Sequence, residues 1–191
     1  MIIGITGRSG AGKSFLAEFL AEQLDLVHID VDKISHEVLC FDESKKFILK
    51  EFGEAVFTDG VLNRKLLGKI VFSNQQKLEK LNNFCQVEIE KKIDEIIASS
   101  KKSIILDYAL LCGLKQFESC DTKILLKADL DTRYSRVKSR ENISKEYFIS
   151  RDSSLPAFDE SKFDFIYHHI TESDTNSLIE TLKQQLRSQY D

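Results

Sequence analysis

Near its start the chain reads Gly7-Arg8-Ser9-Gly10-Ala11-Gly12-Lys13-Ser14, which matches the phosphate-binding pattern G-x-x-x-x-G-K-[ST]. The apolar run Ile2-Ile3-Gly4-Ile5 stands directly before it and is typical of a buried strand. In such a loop the glycines let several backbone N–H groups point at one anion, and the helix that begins near Lys13 adds its positive N-terminal end. The pattern predicts a bound nucleotide triphosphate, with Lys13 at the β- and γ-phosphates and Ser14 on Mg²⁺.

The alternative interpretation is a glycine-rich turn that binds no ligand. The order of strand, loop and helix argues against it, because a phosphate loop requires that order. Apolar residues at helical spacing predict one buried face for the helix: Phe15, Leu16, Phe19, Leu20 and Leu24. The predicted nucleotide contacts are Gly7, Arg8, Ser9, Gly10, Ala11, Gly12, Lys13, Ser14 and Phe15.

The composition is that of an ordinary globular protein. The 191 residues, 42% hydrophobic and 30% charged, fit one domain that can bury a parallel sheet with covering helices. No apolar run approaches the length of a membrane span and no signal peptide is recognisable, so we expect a cytoplasmic protein with no membrane partner. The net charge of −4 argues against general nucleic-acid binding.

Cysteines and histidines show no metal-binding spacing. The cysteines lack any C-x-x-C pair, so we predict reduced, mostly buried thiols and no zinc or dithiol motif; they are Cys40, Cys85, Cys112 and Cys120. The histidines are expected to be structural or exposed; they are His28, His36, His168 and His169.

Strands are predicted to alternate with helices along the chain. After the first strand we expect strands at 26–30, 103–107, 122–126 and 163–167, and a turn at 57–60. The later helices are expected at 32–52 with a break near 40–42, at 63–71 with Asn63 as N-cap, at 74–99, and at the end of the chain around Leu182. This alternation predicts a three-layer α/β/α sandwich with a five-stranded parallel sheet. Ligands of such sheets bind beyond the carboxyl ends of the strands.

Three carboxylates fall at those strand ends. Asp30 and Asp32 lie two residues apart, so both are able to face the cleft, and one of them is a candidate general base for phosphoryl transfer to a hydroxyl. Alternatively, Asp30 ends the strand and Asp32 caps the next helix, and the two roles are compatible. Asp107 closes an apolar run as a Walker B carboxylate does, which makes it a candidate for Mg²⁺.

A basic helix is predicted late in the chain. Arg133, Arg136 and Arg140 are spaced by three and four on a helix that starts near Asp129 or Asp131, so we expect one face to carry all three guanidinium groups. Such a charge run is usually a solvated face. Beside a phosphate loop, it instead predicts a lid that clamps phosphates and shields the transfer from water.

Together these landmarks resemble the dephospho-coenzyme A kinase family over nearly the whole chain. Besides the phosphate loop, the resemblance uses Gly4-Ile5-Thr6-Gly7, Ile29-Asp30-Val31-Asp32, His36-Glu37-Val38, Phe52-Gly53, Asp59-Gly60, Leu62-Asn63-Arg64, Ile70-Val71-Phe72 and Leu81-Asn82. Only the loop is specific alone, and the order and spacing of the others carry the rest. The resemblance implies a P-loop NTPase fold and a kinase that uses ATP and Mg²⁺ to phosphorylate the ribose 3′-hydroxyl of dephospho-coenzyme A.

The same resemblance implies roles for particular residues. Asp32 takes the place of the family's general base, and Lys13, Arg136 and Arg140 are implied in catalysis, with Arg140 as the first candidate for a transition-state contact. The implied acceptor contacts are Thr6, Asp32, Asn63, Arg64 and Gln86; the implied metal contacts are Ser14 and Asp107. We expect one domain over 1–191, with a helical acceptor-side subdomain at 33–99, a lid at 130–155, and a monomer or weak homo-oligomer.

The chain departs from the family pattern at three places. Most members carry His-Pro where Gln86-Val87 stand, and Gln86 cannot carry charge. The usual Pro-Leu-Leu-x-Glu appears as Ala109-Leu110-Leu111-Cys112-Gly113, and Tyr147 replaces a lid arginine, with Arg151 one turn further on. These changes lie on the acceptor side and in the lid, which indicates a divergent, active member.

Three other functions remain as alternatives. One is a kinase for another hydroxyl or nucleoside monophosphate, which the acceptor-side departures favour. A GTPase-type switch normally carries Asn-Lys-x-Asp and Asp-x-x-Gly, and neither string occurs in the chain. A nucleotide-binding protein without catalysis is disfavoured by the presence of Lys13, Ser14 and Asp32.

Overall fold

A computed structural model describes residues 1–153 and 155–188, which divide into two compact units. The first unit combines residues 1–30 with the described residues from 99 onward, and the second is Val31–Ala98. In chain order the strands are β1 (Ile2–Gly7), β2 (Val27–Asp30), β3 (Phe57–Thr58), β4 (Val61–Leu62), β5 (Ile104–Asp107), β6 (Thr122–Lys127) and β7 (Phe165–His168). The helices are α1 (Lys13–Leu24), α2 (Val31–Val38), α3 (Asp42–Phe52), α4 (Arg64–Phe72), α5 (Gln75–Ser99), α6 (Leu130–Glu141), α7 (Lys145–Ser153) and α8 (Glu172–Ser188).

The first unit is built on a five-stranded sheet with strand order β2-β5-β1-β6-β7. Every neighbouring pair in it is parallel, which confirms the predicted parallel sheet. β1 is the middle strand of this order. From β1 the chain passes first to β2 on one side, and later to β6 and β7 on the other side. The carboxyl end of β1 therefore lies at the topological switch point, where open α/β sheets bind ligands.

The core of this unit explains why its strands read as continuous apolar runs. Strand residues such as Ile3, Ile5 and Ile124 have no exposed surface, and they pack with α1 and α8 in one cluster. From α1 the cluster takes Leu16, Ala17 and Leu20; from α8 it takes Leu178, Ile179 and Leu182. Burial at about 25 cal/mol per Å² of apolar surface makes this cluster a stabilising contact between the sheet and these two helices.

The second unit is helical, with a core of its own. Ile48 and Phe52 of α3 pack there against Leu67 and Val71 of α4 and Leu81 of α5. The predicted break between two helices near residue 40 is confirmed, since α2 ends at Val38 and α3 begins at Asp42. The unit begins two residues before the predicted 33–99 subdomain and ends one residue before its end.

Two expectations about local structure were wrong, and a third was confirmed in part. Of the turn predicted at 57–60, Asp59 and Gly60 form the turn and both have positive φ, whereas Phe57 and Thr58 form β3 of a short hairpin with β4. The thiols are not mostly buried: Cys40 and Cys112 are exposed, and Cys120 is buried. Phe15 does not join the buried face of α1, because it is 78% exposed.

In the part of the chain that the structure describes, no helix is both long and apolar enough to cross a membrane.

Candidate active site at the phosphate loop

The predicted phosphate loop leaves the central strand and ends in the first turn of α1. β1 ends at Gly7 and α1 begins at Lys13, with Gly12 as its N-cap in the left-handed region, at φ 103°. Within the described part of the chain no side chain caps this helix end, so its first N–H groups are oriented for an anion. Strand, loop and helix thus occur in the order that the sequence pattern requires.

Two glycines of this loop are fixed by close approach of other backbone segments. A Cβ atom on Gly7 would lie 2.2 Å from the carbonyl oxygen of Leu126 in β6. A Cβ atom on Gly10 would lie 2.5 Å from the carbonyl oxygen of Arg133 in α6, and φ of Gly10 is +82°. Glycine is required at both positions because any side chain would push the loop away from its supports.

The three residues that follow Gly12 differ in exposure. Lys13 is only 8% exposed, whereas Ser14 and Phe15 are exposed. A cation held out of water acts more strongly on a nearby phosphate than an exposed one. The arrangement suits Lys13 as a phosphate contact and leaves Ser14 accessible; the nucleotide contact of Phe15 stays a prediction.

Asp107 lies at the carboxyl end of β5, beside the start of the loop. In the sheet it is in register with Ile5 of β1 and with Asp30 of β2. It is 2% exposed, and its Oδ1 atom has no hydrogen-bond partner among the described residues. An unsatisfied buried carboxylate oxygen is costly, and it is the kind of ligand that Mg²⁺ prefers.

Thr6 is fully buried at the end of β1. Its hydroxyl donates a hydrogen bond to the carbonyl oxygen of Ala109, 3.3 Å away. The side chain therefore connects β1 to the segment after β5, and its predicted contact with the acceptor stays a prediction.

Contrary to the expectation, the basic helix α6 does not present all three arginines on one accessible face. Arg133 is 7% exposed and forms a bidentate ion pair with Asp152, with nitrogen–oxygen distances of 2.8 and 2.9 Å. Arg136 is exposed and donates from Nη1 to the carbonyl oxygen of Gly10, 3.0 Å away. Arg140 is exposed one turn further on. Only Arg136 and Arg140 are accessible enough to meet a ligand, because Arg133 is used inside the protein.

The start of α6 is fixed by an aspartate cap. Oδ1 of Asp129 accepts from the backbone N–H of Thr132 at 2.8 Å, and Oδ2 accepts from the Thr132 hydroxyl at 2.8 Å. These two hydrogen bonds hold the pKa of Asp129 below its usual value. Of the two predicted starting points, Asp129 is the N-cap.

The second unit holds the other predicted site residues. Asp32 is exposed in the first turn of α2, two residues along the chain from the end of β2. Asn63 caps α4, because its Oδ1 atom accepts from the N–H of Leu66 at 3.1 Å. Arg64 donates to the carbonyl oxygen of His36 at 2.8 Å. These contacts give Asn63 and Arg64 structural roles within the unit.

Gln86 lies on α5 of the same unit. Its side-chain amide donates to Glu90 at 3.0 Å, one turn further along the helix. The structure thus describes Asp32, Asn63, Arg64 and Gln86 in one unit and the phosphate loop, Asp107 and α6 in the other.

Two residues with clear contacts to this site were missed by the sequence analysis. Asp152 pairs with Arg133, and His28 lies with Nε2 3.7 Å from Oδ2 of Asp107. Asp152 gave no usable signal, because its partner stands 19 residues earlier in the chain. His28 lies on β2, next to β5 in the sheet, but strand order was not predicted from the sequence.

Comparison with known proteins shows which family the chain belongs to. The model of the Dephospho-CoA kinase family matches residues 1–161. The chain belongs to the dephospho-CoA kinase family. A dephospho-CoA kinase of Fusobacterium nucleatum subsp. nucleatum is 34% identical over 157 residues, covering 76% of this chain and 76% of that one. One of Latilactobacillus sakei subsp. sakei is 28% identical over 193 residues, covering 97% and 92%.

Solved structures agree with this family's fold. A Thermus thermophilus protein matches with a TM-score of 0.78 at 24% identity, over 98% of this chain and 97% of that one. The dephospho-CoA kinase from Campylobacter jejuni matches with a TM-score of 0.66 at 24% identity, over 100% and 98%. A shikimate kinase from Bacteroides thetaiotaomicron matches with a TM-score of 0.53 at 16% identity, over 98% of each. At such identities the likeness shows the fold alone, that of P-loop kinases.

Proposed function

We propose that this member of the dephospho-CoA kinase family transfers the γ-phosphoryl group of ATP to the ribose 3′-hydroxyl of dephospho-coenzyme A. The product is coenzyme A, and the reaction is the last step of its synthesis. The observation that carries the proposal is the phosphate loop at the end of the central strand, with α1 beginning at Lys13. The acceptor is inferred from the family.

The donor half of the reaction rests on the loop. In phosphoryl transfer the protein mainly positions the reactants and neutralises charge on the transferring oxygens. The N-terminal end of α1 and the ammonium group of Lys13 supply positive charge at the loop, and Lys13 is largely removed from water. Arg136 and Arg140, exposed on α6, are proposed to add charge from the lid when ATP is bound.

Magnesium is expected together with ATP, and two side chains fit it. Ser14 is exposed in the first turn of α1, and Asp107 offers a buried carboxylate oxygen that no described residue satisfies. Mg²⁺ takes few ligands from the protein and the rest from phosphates and water, so these two are enough. When bound, the ion would neutralise charge on the β- and γ-phosphates.

Asp32 is the proposed general base. In this role its carboxylate accepts the proton of the ribose hydroxyl as the phosphoryl group is transferred. The assignment is supported by the family's Asp-x-Asp pattern, here Asp30-Val31-Asp32, and by the exposure of Asp32 at the start of α2. Thr6, Asn63, Arg64 and Gln86 are the proposed acceptor contacts, with Gln86 acting through its neutral amide.

The proposal is tested by ATP turnover with purified protein against dephospho-coenzyme A, adenosine, AMP and shikimate in parallel. We expect turnover with dephospho-coenzyme A, detected as ADP and as coenzyme A. Stimulation by AMP alone would indicate a kinase for another acceptor, the second candidate that Gln86 and Gly113 favour. Binding of ATP without turnover on any of the four would indicate a nucleotide-binding protein without catalysis.

The role of Asp32 is tested by Asp32→Asn, which keeps size and polarity but removes the base. We expect kcat to fall by about 10²–10⁴, the usual range for general acid–base catalysis, with ATP binding retained. A rise in KM for the acceptor with little change in kcat would make Asp32 a substrate-binding residue instead.

A cytoplasmic location and a monomeric or weakly oligomeric state are also part of the proposal. Cell fractionation tests the location, and sedimentation at several protein concentrations tests the oligomeric state.

A further inference from the structure

Arg8 connects the phosphate loop to the last turn of α7 and to the segment that follows it. Its Nη1 atom donates to the carbonyl oxygen of Asp152 at 2.7 Å. Its Nη2 atom donates to the carbonyl oxygens of Leu155 and Pro156, at 3.2 and 3.0 Å. The guanidinium carbon also lies 5.5 Å from the ring centre of Phe158. One side chain of the loop thus gathers three carbonyls and an aromatic ring from a segment about 150 residues away.

Asp152 accepts hydrogen bonds from both Arg8 and Arg133. Its backbone carbonyl accepts from Arg8, and its carboxylate accepts two hydrogen bonds from the buried Arg133. Arg133 donates in addition to the carbonyl oxygens of Ala128 at 3.1 Å and Ser9 at 3.5 Å. Asp152 therefore links loop residues 8 and 9 to α6 as well as to α7.

Two further arginines form hydrogen bonds with the next residues of the loop. Arg151 donates to the hydroxyl of Ser9 at 3.4 Å and to Glu141 at 2.8 Å. Arg136 donates to the carbonyl oxygen of Gly10. Residues 8, 9 and 10 of the loop are each hydrogen-bonded to the helical segment that follows β6.

Arg8 and Arg133 are placed to hold the loop rather than to bind phosphate. Every guanidinium nitrogen of Arg133 has a partner within the protein, and both terminal nitrogens of Arg8 donate to carbonyl oxygens. A planar guanidinium fork satisfies such a fixed set of acceptors, whereas a lysine ammonium cannot reproduce its geometry. Hydrogen bonds from charged donors are also stronger than neutral ones.

We propose that Arg8 and Asp152 are positioning residues that hold loop residues 8–10 in the shape that receives the ATP phosphates. A glycine-rich loop has many conformations, and ordering it on ATP binding costs conformational entropy. Contacts that already fix the loop in one conformation reduce this cost and so strengthen binding. Loss of Arg8 should therefore weaken nucleotide binding while the chemistry of the bound complex is kept. The inference rests on the proposed ATP site, but not on the identity of the acceptor.

The test compares Arg8→Ala and Arg8→Lys with a control, Lys123→Ala. Lys123 also places its cation over a ring, 5.3 Å from the centre of Phe117, but among the described residues no hydrogen bond joins its side chain to the loop. Two quantities are measured: the Kd for the non-hydrolysable analogue AMP-PNP by calorimetry, and KM and kcat at saturating acceptor. We expect Arg8→Ala to raise Kd and the KM for ATP about tenfold, with kcat changed less than about threefold.

Arg8→Lys should bind AMP-PNP nearly as weakly as Arg8→Ala, because it keeps the charge but loses the fork. Restored binding in Arg8→Lys would mean that the charge alone matters, which overturns the proposal. A lowered Tm with unchanged Kd in Arg8→Ala would mean a merely structural role and overturns it as well. If dephospho-coenzyme A is not the acceptor, the proposed function fails while the AMP-PNP measurements still decide this inference.

Asp152 is tested through a variant that keeps the backbone carbonyl for Arg8. Asp152→Asn removes one charge from the pair with Arg133, so we expect a lower Tm together with a several-fold higher Kd for AMP-PNP. If that variant does not fold, Phe158→Leu removes the ring beside Arg8 and should raise Kd in the same direction. An unchanged Kd in whichever folded variant is measured contradicts the proposal for that contact.

Discussion

The carboxyl group of Asp107 lies beside the imidazole of His28, with Oδ2 3.7 Å from Nε2. The two residues come from neighbouring strands, β5 and β2, near the carboxyl edge of the sheet. The other carboxylate oxygen of Asp107, Oδ1, has no hydrogen-bond partner among the described residues. A side chain that is 2% exposed and only partly satisfied costs stability, which is typical of groups kept for a ligand.

Asp107→Asn should separate stability from activity. The amide removes a buried charge at nearly constant shape, so we expect the free energy of unfolding to stay the same or to rise by about 1 kcal/mol. If Asp107 holds Mg²⁺, kcat falls by about 10² or more at saturating ATP, and extra Mg²⁺ recovers part of it. Urea unfolding and turnover at several Mg²⁺ concentrations measure both. The control is Asp164→Asn, which changes an exposed carboxylate that accepts a hydrogen bond from the N–H of Lys123. This variant should leave turnover unchanged.

Gly10→Ala should destabilise the fold more than the same change at Gly60. Both glycines have positive φ, +82° and +74°, so both variants strain the backbone. At Gly10 the added methyl would lie 2.5 Å from the carbonyl oxygen of Arg133, whereas at Gly60 it would meet no atom of the described residues within 4 Å. We expect an additional loss of about 1–3 kcal/mol for Gly10→Ala, together with weaker AMP-PNP binding. Equal losses in urea unfolding would show that the contact with α6 has no energetic weight.

The sequence predicted those parts of the site that depend on neighbours in the chain. Loop, strand and helix are local, so the phosphate loop and the start of α1 at Lys13 could be predicted in place. Spacing on α6 could not show which arginine faces inward, because the choice depends on Asp152 from another helix. The hairpin β3–β4 was missed since two-residue strands are too short for an alternating pattern.

Contacts between distant segments account for the other surprises. The nucleotide contact of Arg8 stays a prediction, but its hydrogen bonds to residues that stand 144 to 148 positions later in the chain could not be predicted from local sequence. Phe15 fits the helical spacing of the buried stripe, but it lies in the first turn of α1 and is exposed. Helical spacing predicts which face of a helix is buried, but not how far along the helix that face is covered. In α1 the face is exposed at Phe15.

Replacing Asn63 by serine should distinguish its cap from its proposed acceptor contact. Serine is as good an N-cap as asparagine, so we expect stability within about 0.5 kcal/mol of wild type, whereas Asn63→Ala should lose about 1 kcal/mol. If the side-chain amide also binds the acceptor, Asn63→Ser raises the KM for dephospho-coenzyme A several-fold. Asn74 caps the next helix by the same contact, accepting from the N–H of Lys77 at 3.1 Å, so Asn74→Ser is a matched control. The same KM in both serine variants would remove Asn63 from the acceptor site.

Two thiols should make the protein less stable as the pH rises above about 9. Burial raises the pKa of Cys120 to about 12, and burial together with Glu88 raises that of Cys85 to about 11, from an ordinary value of 9.0. The folded state therefore keeps these protons at a pH where the unfolded state has lost them. Stability is full below pH 9 and falls as the pH rises toward 11 and 12.

The expected loss is roughly 1 kcal/mol for each thiol by pH 10, and somewhat less for the half-buried Cys85. Urea unfolding at pH 8, 9 and 10 measures it, with the Cys85→Ala/Cys120→Ala double variant as reference. The other ionisable groups are the same in the wild type and the double variant, so their effect cancels when the two are compared. The cavities left by alanine lower the variant's free energy of unfolding at every pH without changing its pH slope. The wild-type curve should therefore fall more steeply than that of the double variant, and parallel curves would show that these thiols titrate alike in both states.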